Sequence, residues 1–453
     1  MAIKGIIYLN NDQIKGFDKY KLMQCNDSVT RYFWIKFNIN LSVICIDIPG
    51  PTTDPCGTPN SKYSSLDTSP LATYVLHPFW NALVKLFPMW LAPNLMTFIG
   101  FLFFVCQFLL VAYYDWDFCG SNRNKVEYPP IPGWVWVVAG ICQFAGHSLD
   151  GLDGKQARRT GSSTPLGELF DHGSDSILCG LMPIAAVSVY GKGWEDYGGS
   201  SWIFFVAQWH ITGAFFLSHW EKYLTGVFYL PWSSDFSQLS MAIVYLLTGI
   251  FGYEVWKVTL PLGIQFNYLF LGICFEEITF FGFAFTVMLA GVIFFSLPLS
   301  LYNIYSSYQD GTGKNRSFGE AMWPVVPMIV LFLTSLFWVI YSPTDVLEYH
   351  TRIFLLTFSA VFSNITVRLI ISQMSDTLAS TNNSLLMLYG VAAFAVCVLG
   401  LAEYEVRILH GLFVVIELLH FHYLVSVVIQ LCDHFNVHAF SITSRPRQKN
   451  HDN

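Results

Sequence analysis

The chain has 453 residues, of which 53% are hydrophobic, 17% aromatic and only 12% charged, about half the ~25% charged fraction of an average soluble domain. That balance argues against a water-soluble fold, and a net charge of -7 without any long basic or acidic run gives no case for nucleic acid as a partner. The ten cysteines include no CxxC pair and no Cys/His spacing suited to zinc, so neither a disulfide framework nor a structural zinc site is expected.

At the start of the chain Lys4, Lys15, Lys19 and Lys21 punctuate a polar segment with no signal peptide in view, and insertion is expected to rely on the first true span. Residues 22–62 hold Cys25, Cys45, Cys56 and the stretch PGPTTDPCGTPN, after a segment too polar at Lys36, Asn38 and Asn40 for a span. They read as an irregular loop or a disordered segment without assigned function. Over 70–88, Leu76, Phe79, Trp80, Leu83 and Phe87 recur at helical intervals and Pro88 ends the pattern. This predicts an amphipathic helix in the membrane interface, a soluble core helix being the alternative.

Beyond it, nearly uncharged apolar stretches of about 18 residues or more recur, each long enough for a hydrocarbon core of about 30 Å. Spans are expected near 92–113, 134–154, 166–189, 201–220, 236–256, 281–304, 319–341, 351–372, 384–401 and 408–431. The expected fold is all-α and polytopic, with about ten transmembrane helices and one N-terminal interfacial helix. Its expected divisions are an N-terminal cytosolic segment (1–62), the interfacial helix (63–90), a six-span catalytic core (91–305), a four-span bundle (306–436) and a cytosolic tail (437–453). An even number of spans puts both termini on one side. Placing them in the cytosol also places Lys155, Arg158, Arg159, Lys314, Arg316, Arg445, Arg447 and Lys449 there, as the positive-inside rule favours. The sequons at Asn315 and Asn382 then face the cytosol and are incidental.

The chemistry is concentrated in residues 150–175, DGLDGKQARRTGSSTPLGELFDHGSD. Asp150 and Asp153 are three apart at the end of the second span, and Asp171 and Asp175 four apart near the start of the third, so each pair shares one helical face. A short polar turn makes an antiparallel hairpin in which the two acidic faces can meet near the cytosolic boundary. Four carboxylates that close cannot all be ionised in a partly desolvated site without cations. Hard oxygen donors suit Mg²⁺ or Mn²⁺ and leave positions for phosphate oxygens. Gly151, Gly154 and Gly167 remove side chains where a nucleotide or facing helix needs close approach, and Arg158 is placed to meet a phosphate. The alternative is a packing network in which the acids pair with Lys155, Arg158 and Arg159, although ionisable groups at this depth are usually functional.

The pattern resembles the signature of the CDP-alcohol phosphotransferase family, D-x-x-D-G-x-x-A-R-x8-G-x-x-x-D-x-x-x-D, through Asp150, Asp153, Gly154, Ala157, Arg158, Gly167, Asp171 and Asp175. At residue frequencies of about 5 to 10%, eight fixed positions match by chance with odds on the order of one in 10⁹. FDKY near Phe17, HPFW (His77 to Trp80), LAPN (Leu91 to Asn94), GELFDHGSD and SHWEKY (Ser218 to Tyr223) extend the resemblance to the eukaryotic choline/ethanolamine phosphotransferase branch, nearest its ethanolamine members. It becomes diffuse after residue 305, and residues 22–62 and the short tail depart from it.

The resemblance implies transfer of phosphoethanolamine from CDP-ethanolamine to diacylglycerol, giving phosphatidylethanolamine and CMP, in the endoplasmic reticulum or Golgi. It also implies that Gly154, Ala157, Arg158 and Gly167 hold the CDP-alcohol. CDP-choline, or both donors, is the alternative. His172, beside Asp171, is the first choice of base for the acceptor hydroxyl, with Asp175 and His219 as alternatives. Asn94 either reaches the nucleotide, as the resemblance suggests, or caps the first span. Glu168 either contacts cytidine or lies on a solvated face, and Glu221 and Lys222 either lie near the donor amine or anchor the interface. His410, His420, His422, His434 and His438 read as polar packing or interface residues. The last four spans are expected to brace the core or form a homodimer contact. A cation transporter would spread its acids along several spans, whereas these cluster on one hairpin.

Overall fold

A computed structural model of the chain describes residues 8–26, 65–66, 69–231, 233–259, 266–268, 273–275 and 279–444. The expectations for residues 27–62 and for the tail beyond residue 444 lie outside the described residues. Apart from three two-stranded pairs of very short strands, the regular secondary structure of the described residues is helical. An N-terminal helix, α1 (Asn11–Asn26), precedes the region expected to lie in the interface. That region is helical throughout, with a π-helical turn at Ala72–Leu76, then α2 (His77–Leu83) and a 3₁₀ turn at Val84–Leu86. Its inward face is Leu76, Trp80 and Val84, which cluster with Met96 and Leu152; Phe79 of the expected stripe points outward.

The long helices follow as α3 (Pro93–Tyr114), α4 (Gly133–Thr160), α5 (Pro165–Tyr190), α6 (Ser201–Thr225) and α7 (Ser233–Phe251). Next, α8 (Phe280–Gly291) and α9 (Leu297–Gln309) form one rod through a π-helical turn just ahead of Pro298, which has no backbone N–H to offer. The short α10 (Phe318–Met322) leads into α11 (Val325–Tyr341), and α12 (Val346–Tyr349) into α13 (Thr351–Met374); α14 (Ser384–Cys397) and α15 (Glu405–Phe435) complete the chain. Helices therefore occupy all ten expected positions. Among the described residues six segments are long and apolar enough to cross a membrane: α3, α5, α7, the α8–α9 rod, α13, and Ala402–Phe435, which contains α15. The shorter α11 and α14 are also apolar. The protein is an all-helical, polytopic membrane protein.

Two features position the site. α3 lies along both α4 and α5, whereas α4 and α5 make few direct contacts. The hairpin is thus an open V with α3 laid against both arms, and the acidic faces meet at its vertex. On its far side α5 packs against α13, where Ser359 sits so close to Gly180 that an added Cβ there would come within 2.5 Å of it. Pro183 cannot donate to the carbonyl of Cys179 four residues earlier. Gln208 of α6 supplies the missing donor, its Nε2 reaching Cys179 O at 3.3 Å and Gly180 O at 3.1 Å.

Candidate active site

The vertex of the V is built by matched stop and start signals. α4 ends on Gly161 in the left-handed region (φ 66°), and the backbone N–H of Ser162 returns to Ala157 O at 3.0 Å, a glycine C-cap. Three residues later Thr164 caps α5, accepting from Gly167 N at 3.2 Å, and Pro165 takes the first helical position. The turn holds the last turns of α4 and the first turns of α5 in a fixed relation.

On that frame the carboxylates converge. One donor atom each from Asp150, Asp153 and Asp171 lie within 4.8 Å of one another, and so do donor atoms of Asp171, His172 and Asp175. Asp171 belongs to both groups. This spread matches a divalent ion, whose oxygen ligands sit about 2.0–2.6 Å away. The donor set also fits, being hard carboxylate oxygens with one imidazole, so these residues could hold a metal ion. Asp153 is buried and accepts a hydrogen bond from Thr97 Oγ1 of α3 at 2.5 Å. Second contacts of this kind orient a carboxylate toward a metal, and their loss typically weakens metal affinity about 10- to 100-fold. Thr97→Val is expected to reduce Mn²⁺ affinity by that factor with helical content unchanged. Wild-type affinity in a Mn²⁺ titration would remove the orienting role.

Two of the cations offered as packing partners for these acids, Lys155 and Arg159, are engaged elsewhere. Lys155 donates to Asn81 Oδ1 at 2.9 Å, and Arg159 donates to the carbonyls of Val84 at 2.8 Å and Phe87 at 2.6 Å. Together with Gln156, which donates to Pro88 O and Leu91 O, they tie the 77–91 segment to α4. Trp80 lies flat on Gly151, where an added Cβ would come within 2.5 Å of its ring. The need for glycine at 151 is therefore helix packing. Among the described residues Gly154 has only the Arg158 guanidinium nearby, 3.6 Å from a notional Cβ, with Ala157 and Arg158 on the same closing turns of α4.

His172 is buried one residue off the acidic face, its Nδ1 3.9 Å from Asp175 Oδ2. Its ring centroid lies 5.0 Å from that of His219 and 4.7 Å from that of Phe228. His219, fully buried on α6, has Nδ1 3.4 Å from Gln373 Oε1, and its Nε2 has no hydrogen-bond partner among the described residues. The three candidate bases are thus neighbours.

Asn94 is the second residue of α3, not its cap, which is Ala92. The Asn94 amide donates to Ala439 O at 3.0 Å, and its Oδ1 lies 3.3 Å from a notional Cβ on Gly167. Glu168 is not on a solvated face. It is 5% exposed, accepts from the Tyr20 hydroxyl of α1 at 2.6 Å and pairs with Lys222 of α6. Glu221, adjacent in sequence, turns the other way and accepts from Ser300 Oγ at 2.5 Å and Asn303 Nδ2 at 2.7 Å of α9. Neither residue of that pair is an interfacial anchor, because both are buried.

Sequence reasoning overlooked Thr97, His147 and Asp235. His147 lies one turn before Asp150 and could have been found by that spacing; its Nε2 is 3.6 Å from Asp235 Oδ1 at the start of α7. Thr97 sits four residues after Pro93 on α3, and no sequence signal links it to Asp153.

Comparison with known proteins agrees with this geometry. The profile of the CDP-alcohol phosphatidyltransferase family matches residues 90–269, which span the V and α6 and α7. Ethanolaminephosphotransferase 1 of Mus musculus is 44% identical over 383 residues, covering 84% of this chain and 91% of that one, and the Homo sapiens protein of the same name gives the same figures. Choline/ethanolaminephosphotransferase 2 of Arabidopsis thaliana is 31% identical over 397 residues, 85% of this chain and 96% of that one. With such identity along most of its length and the family's acidic signature gathered at one vertex, the chain belongs to the CDP-alcohol phosphatidyltransferase family.

Proposed function

We propose that the chain transfers phosphoethanolamine from CDP-ethanolamine to diacylglycerol, giving phosphatidylethanolamine and CMP. The observation that carries this reading is the convergence of Asp150, Asp153 and Asp171, with Asp175 and His172 beside them, in a chain 44% identical to ethanolaminephosphotransferases. In the reaction the acceptor hydroxyl oxygen attacks the phosphorus bearing ethanolamine, the new P–O bond forms, and the P–O bond to CMP breaks in line with it. Mg²⁺ or Mn²⁺ held by Asp150, Asp153, Asp171 and Asp175 would neutralise charge on the pyrophosphate and on the departing CMP. His172 takes the hydroxyl proton, with Asp175 and His219 within the same cluster as the alternatives. Gly154, Ala157 and Arg158 on α4 and Gly167, Glu168 and Asn94 across the V form the donor pocket, with Arg158 on phosphate. Glu168 is fixed there by Lys222 and Tyr20.

In this reading the ten helices at the expected positions all cross the bilayer, with the vertex on the cytosolic side of endoplasmic reticulum or Golgi membranes. α4 and α6 carry polar residues of the site, Asp150 and Asp153 on the first and His219 and Lys222 on the second. Diacylglycerol enters sideways from the bilayer while the water-soluble donor arrives from the cytosol. Residues 91–305 form the catalytic unit, and residues 306–436 brace it through α13, which packs on α5 and α6.

A second reading, CDP-choline as donor or both donors, is favoured by the similarity to the plant choline/ethanolaminephosphotransferase. Purified protein in diacylglycerol liposomes with Mg²⁺ or Mn²⁺ is expected to form phosphatidylethanolamine faster than phosphatidylcholine from equal donor concentrations. Faster synthesis from CDP-choline overturns the named donor, and no product from either overturns the reaction.

A further inference from the structure

After α15 the chain returns to the active site. α15 stops at Asn436 in the left-handed region (φ 54°), and the backbone folds back as a hairpin in which Val437–His438 pairs with Ser441–Ser444 across a tip made of Ala439 and Phe440. Contacts with the N-terminal segment fix the root of this hairpin. Gln430 Oε1 accepts from the backbone N–H groups of Tyr8 at 3.2 Å and Leu9 at 3.0 Å, His434 Nε2 stands 2.8 Å from Asp18 Oδ1, and the ring centroids of Phe17 and Phe435 lie 6.4 Å apart. The tip is therefore held in one place.

That place is beside the vertex of the V, against the first turns of α3 and α5. Ala439 O accepts from the Asn94 amide at 3.0 Å. Because a carbonyl can only accept, the amide turns its NH₂ to the hairpin and its Oδ1 to the Gly167 side, where it lies 3.3 Å from a notional Cβ. Among the described residues no donor reaches that oxygen. Phe440 comes to the same spot. Its ring centroid is 5.4 Å from that of Phe98, one turn along α3 from Asn94, and 5.5 Å from that of Phe170, the residue before Asp171. With both contacts made, Phe440 is still 45% exposed. Turn tips are ordinarily built from Gly, Pro, Asn, Asp or Ser, and a half-open phenylalanine at one is placed for what it meets.

We infer that the hairpin is a working part of the donor site, in which the open face of Phe440 stacks on the base of the cytidine nucleotide and Ala439 fixes Asn94 as a hydrogen-bond acceptor beside it; this rests on the donor being a CDP-alcohol. Gly167 precedes Asp171 by one helical turn, about 6 Å at 1.5 Å per residue. The candidate base His172 and its neighbour His219 lie beyond Asp171 on the other side, so the phosphoryl they serve is there and the nucleoside projects toward Gly167, Asn94 and Phe440.

The test is calorimetry on the full chain in mild detergent with Mn²⁺, using CMP and ribose 5-phosphate, which differ only in the base. Wild-type protein is expected to bind CMP at least tenfold more tightly. Phe440→Leu, which keeps apolar bulk without a π face, is expected to raise the CMP dissociation constant roughly tenfold, and Phe440→Ala roughly ten- to a hundredfold. Ribose 5-phosphate binding stays unchanged in both, and Phe440→Tyr, which keeps the ring, binds CMP as wild type does. If the leucine variant does not fold, the alanine variant decides. Wild-type CMP affinity in a folded variant overturns the inference, as does equal weakening of both probes, which would make the hairpin a brace for the vertex. Wild-type protein that neither binds CMP nor makes phospholipid overturns the proposed function itself.

Discussion

Asp171→Asn is expected to lower turnover by about three orders of magnitude or more. Asp171 is the one residue shared by the two groups of converging donors, so its charge serves both. A charged group stabilising a transferring phosphoryl is worth several kcal/mol, and each ~1.4 kcal/mol is a factor of ten in rate. The variant carries its own structural control. In the presence of a chelator one of four mutually repelling carboxylates is gone, so the protein should melt at or above the wild-type temperature. Adding Mn²⁺ should stabilise wild type by binding linkage and the variant less. Loss of activity accompanied by a lower melting temperature in chelator would make Asp171 a structural residue. Near-normal phospholipid synthesis would remove the metal from the reaction.

His172→Ala should reduce turnover by about 10²- to 10⁴-fold, the usual worth of a positioned base, while CDP-ethanolamine binding survives. The imidazole is close enough to Asp171 and Asp175 to act as a metal donor instead, and Mn²⁺ affinity separates the two roles. A base leaves that affinity unchanged when removed, whereas a ligand lowers it along with turnover. His219→Ala provides the comparison, because its ring lies 5.0 Å from that of His172 in the same apolar pocket against Phe228. If His172→Ala turns over almost normally and His219→Ala does not, the proton goes to His219.

The site was legible in the sequence to the extent that its geometry is local. Asp150 and Asp153 share a face of α4 because of helical spacing, and so do Asp171 and Asp175 on α5; Gly161 and Thr164 supply cap chemistry that any helical hairpin would use. Glu168 shows the limit. Its place in the first turn of α5 fits a solvated carboxylate equally well, and only Tyr20 and Lys222, brought from α1 and α6, make it a buried ion-paired group. Asn94 is similar, since its partner Ala439 is 345 positions away. Thr97 reaches Asp153 because α3 lies between the arms of the V, a placement that no spacing encodes.

Apolar content, helix positions and the eight-position acidic signature follow from the order of residues alone, because backbone hydrogen bonding in lipid must be satisfied within each helix and helical periodicity then places neighbouring side chains. The opening of the V, the donation by Gln208 to the Cys179 carbonyl that Pro183 leaves without a helical donor, the sealing of α13 around Arg368 and the grouping of His172 with His219 depend on contacts between helices distant in sequence. Those contacts are set by which small residues let backbones approach and which polar groups need a partner away from water, and only the folded bundle resolves that competition.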